Sequence, residues 1–161
     1  MGSRTAVRGR GATAVPDEAL LLDNQLCFLV YRLHRGITDL YRPVLGELGL
    51  TYPQYLALLV LWESEPVTVG ELGARLHLDS GTLSPLLKRM AAAGLVERTR
   101  SAEDERSVVV SLTREGRALR ERAREVPAAI GGCISGTPED YLTVRDQLTT
   151  LLERVDAACA P

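Results

Sequence analysis

Between residues 68 and 95 the apolar positions fall at helical spacing twice in quick succession, and beyond residue 95 they switch to alternation. Leu83, Leu86, Leu87 and Met90 recur three and four residues apart, which makes an apolar stripe on one helix. Asp79 or Ser80 is suited to cap its start, and Gly94 followed by Leu95 reads as a Schellman-type stop. Upstream, Thr68 and Glu71 form a capping box that opens a short helix through Val69, Leu72 and Leu76, ending near His77. Two short helices joined this closely are the helix-turn-helix pattern, with Leu78 and Asp79 where a turn glycine is frequent. After Gly94, Val96 and Arg98 and then Val108, Val110 and Leu112 alternate around the polar run 99–107, which predicts a β-hairpin. Residues 68–113 therefore read as a winged helix-turn-helix, with the hairpin tip 100–106 as the wing.

The flanks are helical. Over residues 20–48 apolar side chains recur at helical spacing, and Gly36 and Pro43 are expected to bend or divide the segment into two helices. Thr51, Gln54 and Pro53 start another helix running to about residue 63, and Pro66 marks a turn. Thr113 begins a helix expected to reach about residue 130, where Gly131, Gly132 and Gly136 break it. Thr137-Pro138-Glu139-Asp140 opens a last helix through Leu142, Leu148, Leu151, Leu152 and Val155. Residues 1–17, with several glycines and arginines and no apolar period, read as a disordered basic arm. The fold class is mainly α with a small β-hairpin wing, a single domain over 18–161. Segments 18–50 and 114–158 are too apolar to stand alone and are read as dimerisation helices around the winged helix-turn-helix. A two-fold homodimer would set two recognition helices about 34 Å apart on one face of DNA.

Composition narrows the functions. With 45% apolar and 25% charged residues in 161, the chain has a core of useful size. A net charge of −2 excludes a generally basic nucleic-acid binder, so DNA contact must come from a local concentration of Lys and Arg. No apolar run approaches the roughly 18 residues of a membrane span, no secretory leader is evident, and a cytoplasmic protein without membrane contact is expected. Cys27, Cys133 and Cys159 are too few for a disulfide scaffold and share no CxxC spacing. With His34 and His77 the only histidines, neither a structural zinc site nor a cofactor is expected.

The polar face of the 79–95 helix carries Ser80, Thr82 and Ser84 at its tip, with Lys88 and Arg89 behind them. Such a helix suits entry into a major groove N-terminus first, although by itself it reads first as an amphipathic helix with an ordinary wet face. Within a winged helix, Asp79, Ser80, Thr82, Ser84 and Arg89 become candidates for base or groove-edge contact, and Lys88 and Arg98 for phosphates. Arg106 is placed to enter a minor groove from the wing, with Asp104 orienting it; taken alone the mixed-charge tip reads as a solvated loop.

Cys27 in an apolar helix reads from spacing as a small buried hydrophobe. Five tyrosines beside one Phe and one Trp weaken that reading. Tyr31 lies one turn from Cys27, and Tyr41 and Tyr52 stand near predicted helix ends. A phenol that donates to sulfur favours thiolate, the form that attacks a peroxide O–O bond, whereas simple packing would leave the hydroxyls at an edge. Cys133 falls in a glycine-flanked segment, expected to be a flexible hinge between the last two helices, where a thiol could travel to meet a sulfenic acid. Cys159, near the end, reads as an exposed bystander.

Asp104-Glu105-Arg106 and Leu112-Thr113-Arg114-Glu115-Gly116 resemble the DxR and LTxxG signature of MarR-family winged-helix repressors. Within that family the chain is similar to the organic-hydroperoxide sensors called OhrR, through Leu22-Asp23-Asn24-Gln25-Leu26-Cys27-Phe28, Tyr41-Arg42-Pro43, Leu50-Thr51-Tyr52-Pro53-Gln54-Tyr55-Leu56, Leu61-Trp62-Glu63, Leu78-Asp79-Ser80-Gly81-Thr82-Leu83 and the 100–107 segment. The likeness spans about residues 20–155. It implies a repressor that binds a pseudo-palindromic operator and takes an organic hydroperoxide as inducer. It also implies Cys27 as the sensing thiol, Tyr41 and Tyr52 as its hydrogen-bond donors across the dimer, and Cys133 as the partner that closes an intersubunit disulfide. Three other readings stay open: a repressor that senses a small aromatic ligand with Cys27 inert, a thiol peroxidase with only Arg32 and Arg35 as nearby cations, and a helical interaction module without DNA affinity.

Overall fold

The structure is a computed structural model that describes residues 16–100 and 107–160. The chain order is α1 (Leu26–Gly46), α2 (Tyr52–Ser64), β1 (Val67–Thr68), α3 (Val69–Leu76), α4 (Ser80–Ala92), β2 (Val96–Arg100), β3 (Val108–Leu112), α5 (Arg114–Ala123), α6 (Val126–Ile134) and α7 (Pro138–Cys159). It divides into two compact units, Met1–Ile37 and Thr38–Pro161, and α1 belongs to both. In the first, two 3-10 turns, Asp17–Leu20 and Leu22–Asn24, precede α1, and Asn24 Nδ2 donates to the Glu18 carbonyl at 2.7 Å.

α1 is one helix, where Gly36 and Pro43 were expected to bend or divide it. Pro43 lies close to its C-terminal end and forfeits one bond, and a mid-helix glycine costs only about 1 kcal/mol, too little to divide a helix of 21 residues. Gly49, at φ 68°, then ends the helix: its amide donates to Gly46 and that of Leu50 to Leu45, at 3.0 and 2.9 Å.

In the second unit the starts of α3 and α4 and the end of α4 each have a chemical cause. Glu71 accepts from the Thr68 amide at 2.7 Å while its own amide donates to Thr68 Oγ1 at 3.1 Å, so α3 opens with a closed capping box. The turn takes its left-handed residue at His77, φ 52°, one position before the expected Leu78 and Asp79, with Leu78 donating to Gly73 at 2.9 Å. Asp79 caps α4, and Gly94 (φ 70°) and Leu95 stop it with bonds to Ala91 and Met90, each 3.0 Å. Pro85 inside α4 costs about 3 kcal/mol. Burial of Leu83, Leu86, Leu87 and Met90 returns about 1.5–3 kcal/mol for each side chain, so packing decides the helix.

The expected hairpin forms, with Val96 opposite Leu112 and Arg98 opposite Val110. A third strand, β1, pairs with the other edge of β3, Val67 opposite Val110, giving the order β1-β3-β2. Two residues carry no legible alternation, and residues 66–68 read only as a turn and a cap.

The segment after β3 departs from expectation. In place of one helix to about residue 130 there are two, because the ring of Pro127 clashes with the carbonyl four residues back, Ala123, where α5 ends. α6 then runs through Gly131, Gly132 and Cys133, so Cys133 lies on helical backbone and not on a glycine hinge; the break comes after Ile134.

The core of this unit is built from α2, α3, α4 and the sheet, with Leu58, Leu61, Leu72, Leu87, Met90 and Val110 fully enclosed. At the β3–α5 corner the Thr113 amide donates to the Leu95 carbonyl at 3.1 Å, and Trp62 Nε1 donates to the Gly116 carbonyl at 2.9 Å. A Cβ at Gly116 would lie 2.1 Å from the Leu95 oxygen, so only glycine fits. By contrast α7 buries none of its residues, and Leu142, Leu148, Leu152 and Val155 are exposed along it. Leu20, Leu21, Leu22, Leu26 and Leu29 of the first unit are exposed too.

Candidate nucleic-acid interface and thiol site

α4 presents its polar face outward. Asp79, Ser80, Thr82, Lys88 and Arg89 are exposed, as is Arg98 on β2, while Ser84 is half-buried. Asp79 is first a cap: one carboxylate oxygen accepts from the Thr82 amide at 2.9 Å and the other from the Thr82 hydroxyl at 3.2 Å. These bonds hold its carboxyl below the usual carboxylate range. A charged cap also keeps the helix tip from being uniformly positive, and the cations Lys88, Arg89 and Arg98 are exposed behind it. Ser84 and Arg98 come together, lining with Thr68, Gly70 and Ser107 a cleft of about 310 Å³ between α3, α4 and the hairpin. Asp104 and Arg106, the wing-tip candidates, lie outside the described residues.

The tyrosines converge. Tyr41 and Tyr52 are half-buried, with ring centroids 4.7 Å apart, and Tyr41 also packs on the buried Tyr55 at 5.9 Å. Tyr55 in turn meets Trp62 edge-on at 6.4 Å. Burial first, then the neighbouring phenols Tyr52, Tyr55 and Tyr141, push the Tyr41 hydroxyl up to about 12; burial, with Tyr141, raises Tyr52 as well. The cluster therefore holds neutral phenols, which keep a proton to donate. Tyr31, in the first unit, is exposed, and its hydroxyl accepts from Arg35 Nη1 at 3.3 Å. Tyr55, Tyr141 and Trp62 were not singled out from sequence; the three- and seven-residue steps from Tyr52 to Tyr55 to Trp62 carried the signal.

Cys27, near the start of α1, is exposed in the single chain, as are Leu26 and Leu29 beside it. Cys133 is exposed on α6, next to a cavity of about 450 Å³ walled by Gly131, Gly132, Tyr141 and Leu142. Cys159 is exposed at the end of α7. Among the described residues no group of His, Cys, Asp and Glu is arranged to hold a metal, and no helix is long and apolar enough to cross a membrane.

Residues 39–122 match the family model for the transcriptional regulator SarA/Rot. The chain is 53% identical over 132 residues to the organic hydroperoxide resistance transcriptional regulator of Bacillus subtilis, covering 82% of this chain and 90% of that one. Among solved structures, reduced AbfR bound to DNA superposes with a TM-score of 0.77 at 35% identity, covering 89% of this chain and 98% of that one. AbfR, a protein of Staphylococcus epidermidis, has also been solved in a disulfide form, with a TM-score of 0.61 at 37% identity over 88% and 96% of the two chains. Apo MarR of E. coli follows with a TM-score of 0.61 at 25% identity over 80% and 97%. The family model and the Bacillus subtilis relative are both named as transcriptional regulators. A winged helix with a three-stranded sheet, an exposed polar α4 and this degree of identity make the chain a member of the MarR family of DNA-binding transcriptional regulators, of the organic-hydroperoxide-regulator type.

Proposed function

We propose that the protein is a cytoplasmic homodimeric repressor that leaves its operator when an organic hydroperoxide oxidises Cys27. The observation that carries the reading is an exposed Cys27 thiol in a chain that also holds a cluster of protonated phenols at Tyr41 and Tyr52. The exposed leucines of the first unit and of α7 supply the apolar surface a second copy would cover. In the dimer, Tyr41 and Tyr52 donate to the partner's sulfur and favour thiolate, with Tyr31 as a nearer helper on α1.

The chemistry balances without a cofactor. The Cys27 thiolate attacks the outer peroxide oxygen, the O–O bond breaks, the alkoxide takes up a proton and leaves as alcohol, and sulfur is left as sulfenic acid. The Cys133 thiol of the second subunit then displaces water and closes an intersubunit disulfide. If the reduced dimer holds the two Cα atoms farther apart than about 7 Å, α6 must shift or fray to close the bond, and the covalent restraint then moves the two recognition helices off the spacing DNA demands. AbfR, solved both reduced on DNA and with a disulfide, is a precedent for the two states. DNA contact falls to Ser80, Thr82, Ser84 and Arg89 at base edges, Lys88 and Arg98 at phosphates, and Arg106, oriented by Asp104, in the minor groove. Asp79 serves them as the cap of α4 and as a groove-edge acceptor for a cytosine amine.

The test is an operator-binding assay before and after one equivalent of organic hydroperoxide, with thiols counted by mass. Release that tracks oxidation of Cys27 supports the reading. Release by an aromatic acid with Cys27 still reduced would replace it by a ligand-sensing repressor.

A further inference from the structure

α2 is an unbroken helix of 13 residues whose ends meet different parts of the protein. At its start stand Tyr52 and Tyr55, packed with Tyr41. At its far end Trp62 Nε1 donates to the Gly116 carbonyl at 2.9 Å. Glu65, just beyond, takes two bonds from Arg117, Nε to Oε1 at 2.7 Å and Nη2 to Oε2 at 2.9 Å. Its Oε2 also accepts from the amide of Leu112 at 2.8 Å. Leu112 and Arg117 belong to the corner where β3 turns into α5, and that corner is in turn bonded to the end of α4: Thr113 Oγ1 donates to Gly94 at 2.6 Å and the Thr113 amide to Leu95 at 3.1 Å.

We propose that the β3–α5 corner is the joint through which the tyrosine end of α2 and the recognition helix α4 sense each other, with Trp62, Glu65 and Arg117 as its positioning residues. The buried middle of α2, Ala57, Leu58, Val60 and Leu61, leaves the helix no soft point at which to absorb a displacement. The Arg117 side chain is 56% exposed and that of Glu65 22%. A pair so open to water adds little stability, and what the two-pronged geometry supplies is direction. Trp62 holds the same corner through the Gly116 carbonyl, so a tilt of α2 carries the corner and the end of α4 with it. The redox part of the consequence rests on the sensing reading above; the DNA part does not.

Hydrogen exchange of residues 52–58 in the full chain, with and without a duplex selected by the protein from a random-sequence library, tests the joint directly. Coupling is reciprocal, so the duplex, bound at α4, is expected to slow exchange at the start of α2. Arg117→Ala changes an exposed side chain and leaves the core intact; Trp62→Phe keeps a ring and removes the N–H, with its melting transition as the check on folding. Both variants are expected to bind the duplex and lose the slowing. Retained slowing in both, or none in the parental protein, overturns the proposal. In a second arm, the ratio of operator Kd after and before organic hydroperoxide is expected to shrink by about fivefold or more in each variant. An undiminished ratio overturns the joint, whereas a parental protein that ignores hydroperoxide strikes the sensing reading and leaves the exchange arm to judge the joint.

Discussion

The Thr113 hydroxyl donates to the Gly94 carbonyl at 2.6 Å and accepts from the Gly116 amide at 3.0 Å, so one side chain closes the end of α4 and the start of α5 together. Thr113→Val keeps the shape and removes both bonds. A lost N-cap and an unpaired carbonyl predict a loss of about 1–3 kcal/mol in urea unfolding. An unchanged midpoint and slope would mean that water replaces the hydroxyl at no cost and that the corner is held by Gly116 and Trp62 alone.

Gly116 and Gly131 make opposite predictions from the same substitution. At Gly116 a Cβ would meet the Leu95 oxygen at 2.1 Å, and backbone must move, so Gly116→Ala should cost at least the roughly 1–3 kcal/mol of an overpacked core. At Gly131, inside α6, nothing lies within 4 Å, and Gly131→Ala should stabilise by roughly 0.5–1 kcal/mol through helix propensity. Equal melting temperatures for the two variants would contradict the packing at the corner.

That pair also marks what could be read from the sequence. The LTxxG segment was legible as a motif, but its reason, a threonine bridging two helix ends and a glycine pressed on a carbonyl, depends on residues about 20 positions away, which no local pattern carries. Caps and stops were local and came out in place: Thr68 with Glu71, Asp79, Gly94, Thr137. Gly36 and Pro43 misled because a mid-helix glycine and a proline near a helix end each cost too little to break a helix of 21 residues, and Gly131 and Gly132 because α6 is anchored by the buried Val126 and Ile130. Pro127 decided the α5–α6 break through a clash four residues upstream and drew no notice beside the more conspicuous glycines. The tyrosine cluster was half legible, through Tyr41 and Tyr52; Tyr55 and Trp62 needed the packing of α1 on α2.

The phenols give a pH signature. The pKa of Tyr41 is raised from 10.0 to about 12 in the folded protein, so the neutral form is favoured by folding. Its contribution to stability is therefore complete below about pH 10 and is lost as pH rises towards about 12. Alkaline unfolding followed by tyrosinate absorbance should show a late-ionising component that disappears in Tyr41→Phe. If the variant has the parental alkaline transition, the hydroxyl is solvated.

On the DNA face, Arg98→Ala and Arg106→Ala separate two kinds of contact. A phosphate contact at Arg98 predicts weaker binding to all duplexes and a salt slope lower by about 1. A minor-groove contact at Arg106 predicts a loss of about 1–3 kcal/mol that depends on the sequence beneath the wing. Titrations of both variants at several salt concentrations, on operator and on scrambled duplex, check this. A sequence-dependent loss in Arg98→Ala would move Arg98 from backbone to base reading.

The two cysteines make different demands on sulfur, and their serine variants should fail in different ways. Cys27→Ser removes the proposed nucleophile, so it should bind operator as the parental protein does and stay bound through hydroperoxide treatment. Cys133→Ser still allows attack and should consume one equivalent of hydroperoxide, but the sulfenic acid has no partner. No covalent dimer should then appear on a non-reducing gel, and excess oxidant should carry Cys27 to sulfinic or sulfonic acid. Operator release should become incomplete, or dependent on an added small thiol that forms a mixed disulfide with Cys27. The helical position of Cys133 adds a kinetic expectation: bridging needs Cα atoms within about 7 Å, and if the reduced dimer holds them farther apart α6 must move or fray to meet that distance. Gly131→Ala with Gly132→Ala stiffens α6 and should slow disulfide closure while leaving sulfenic acid formation at the parental rate. A covalent dimer formed at full rate in Cys133→Ser would hand the second role to Cys159, exposed at the end of α7, and end this mechanism.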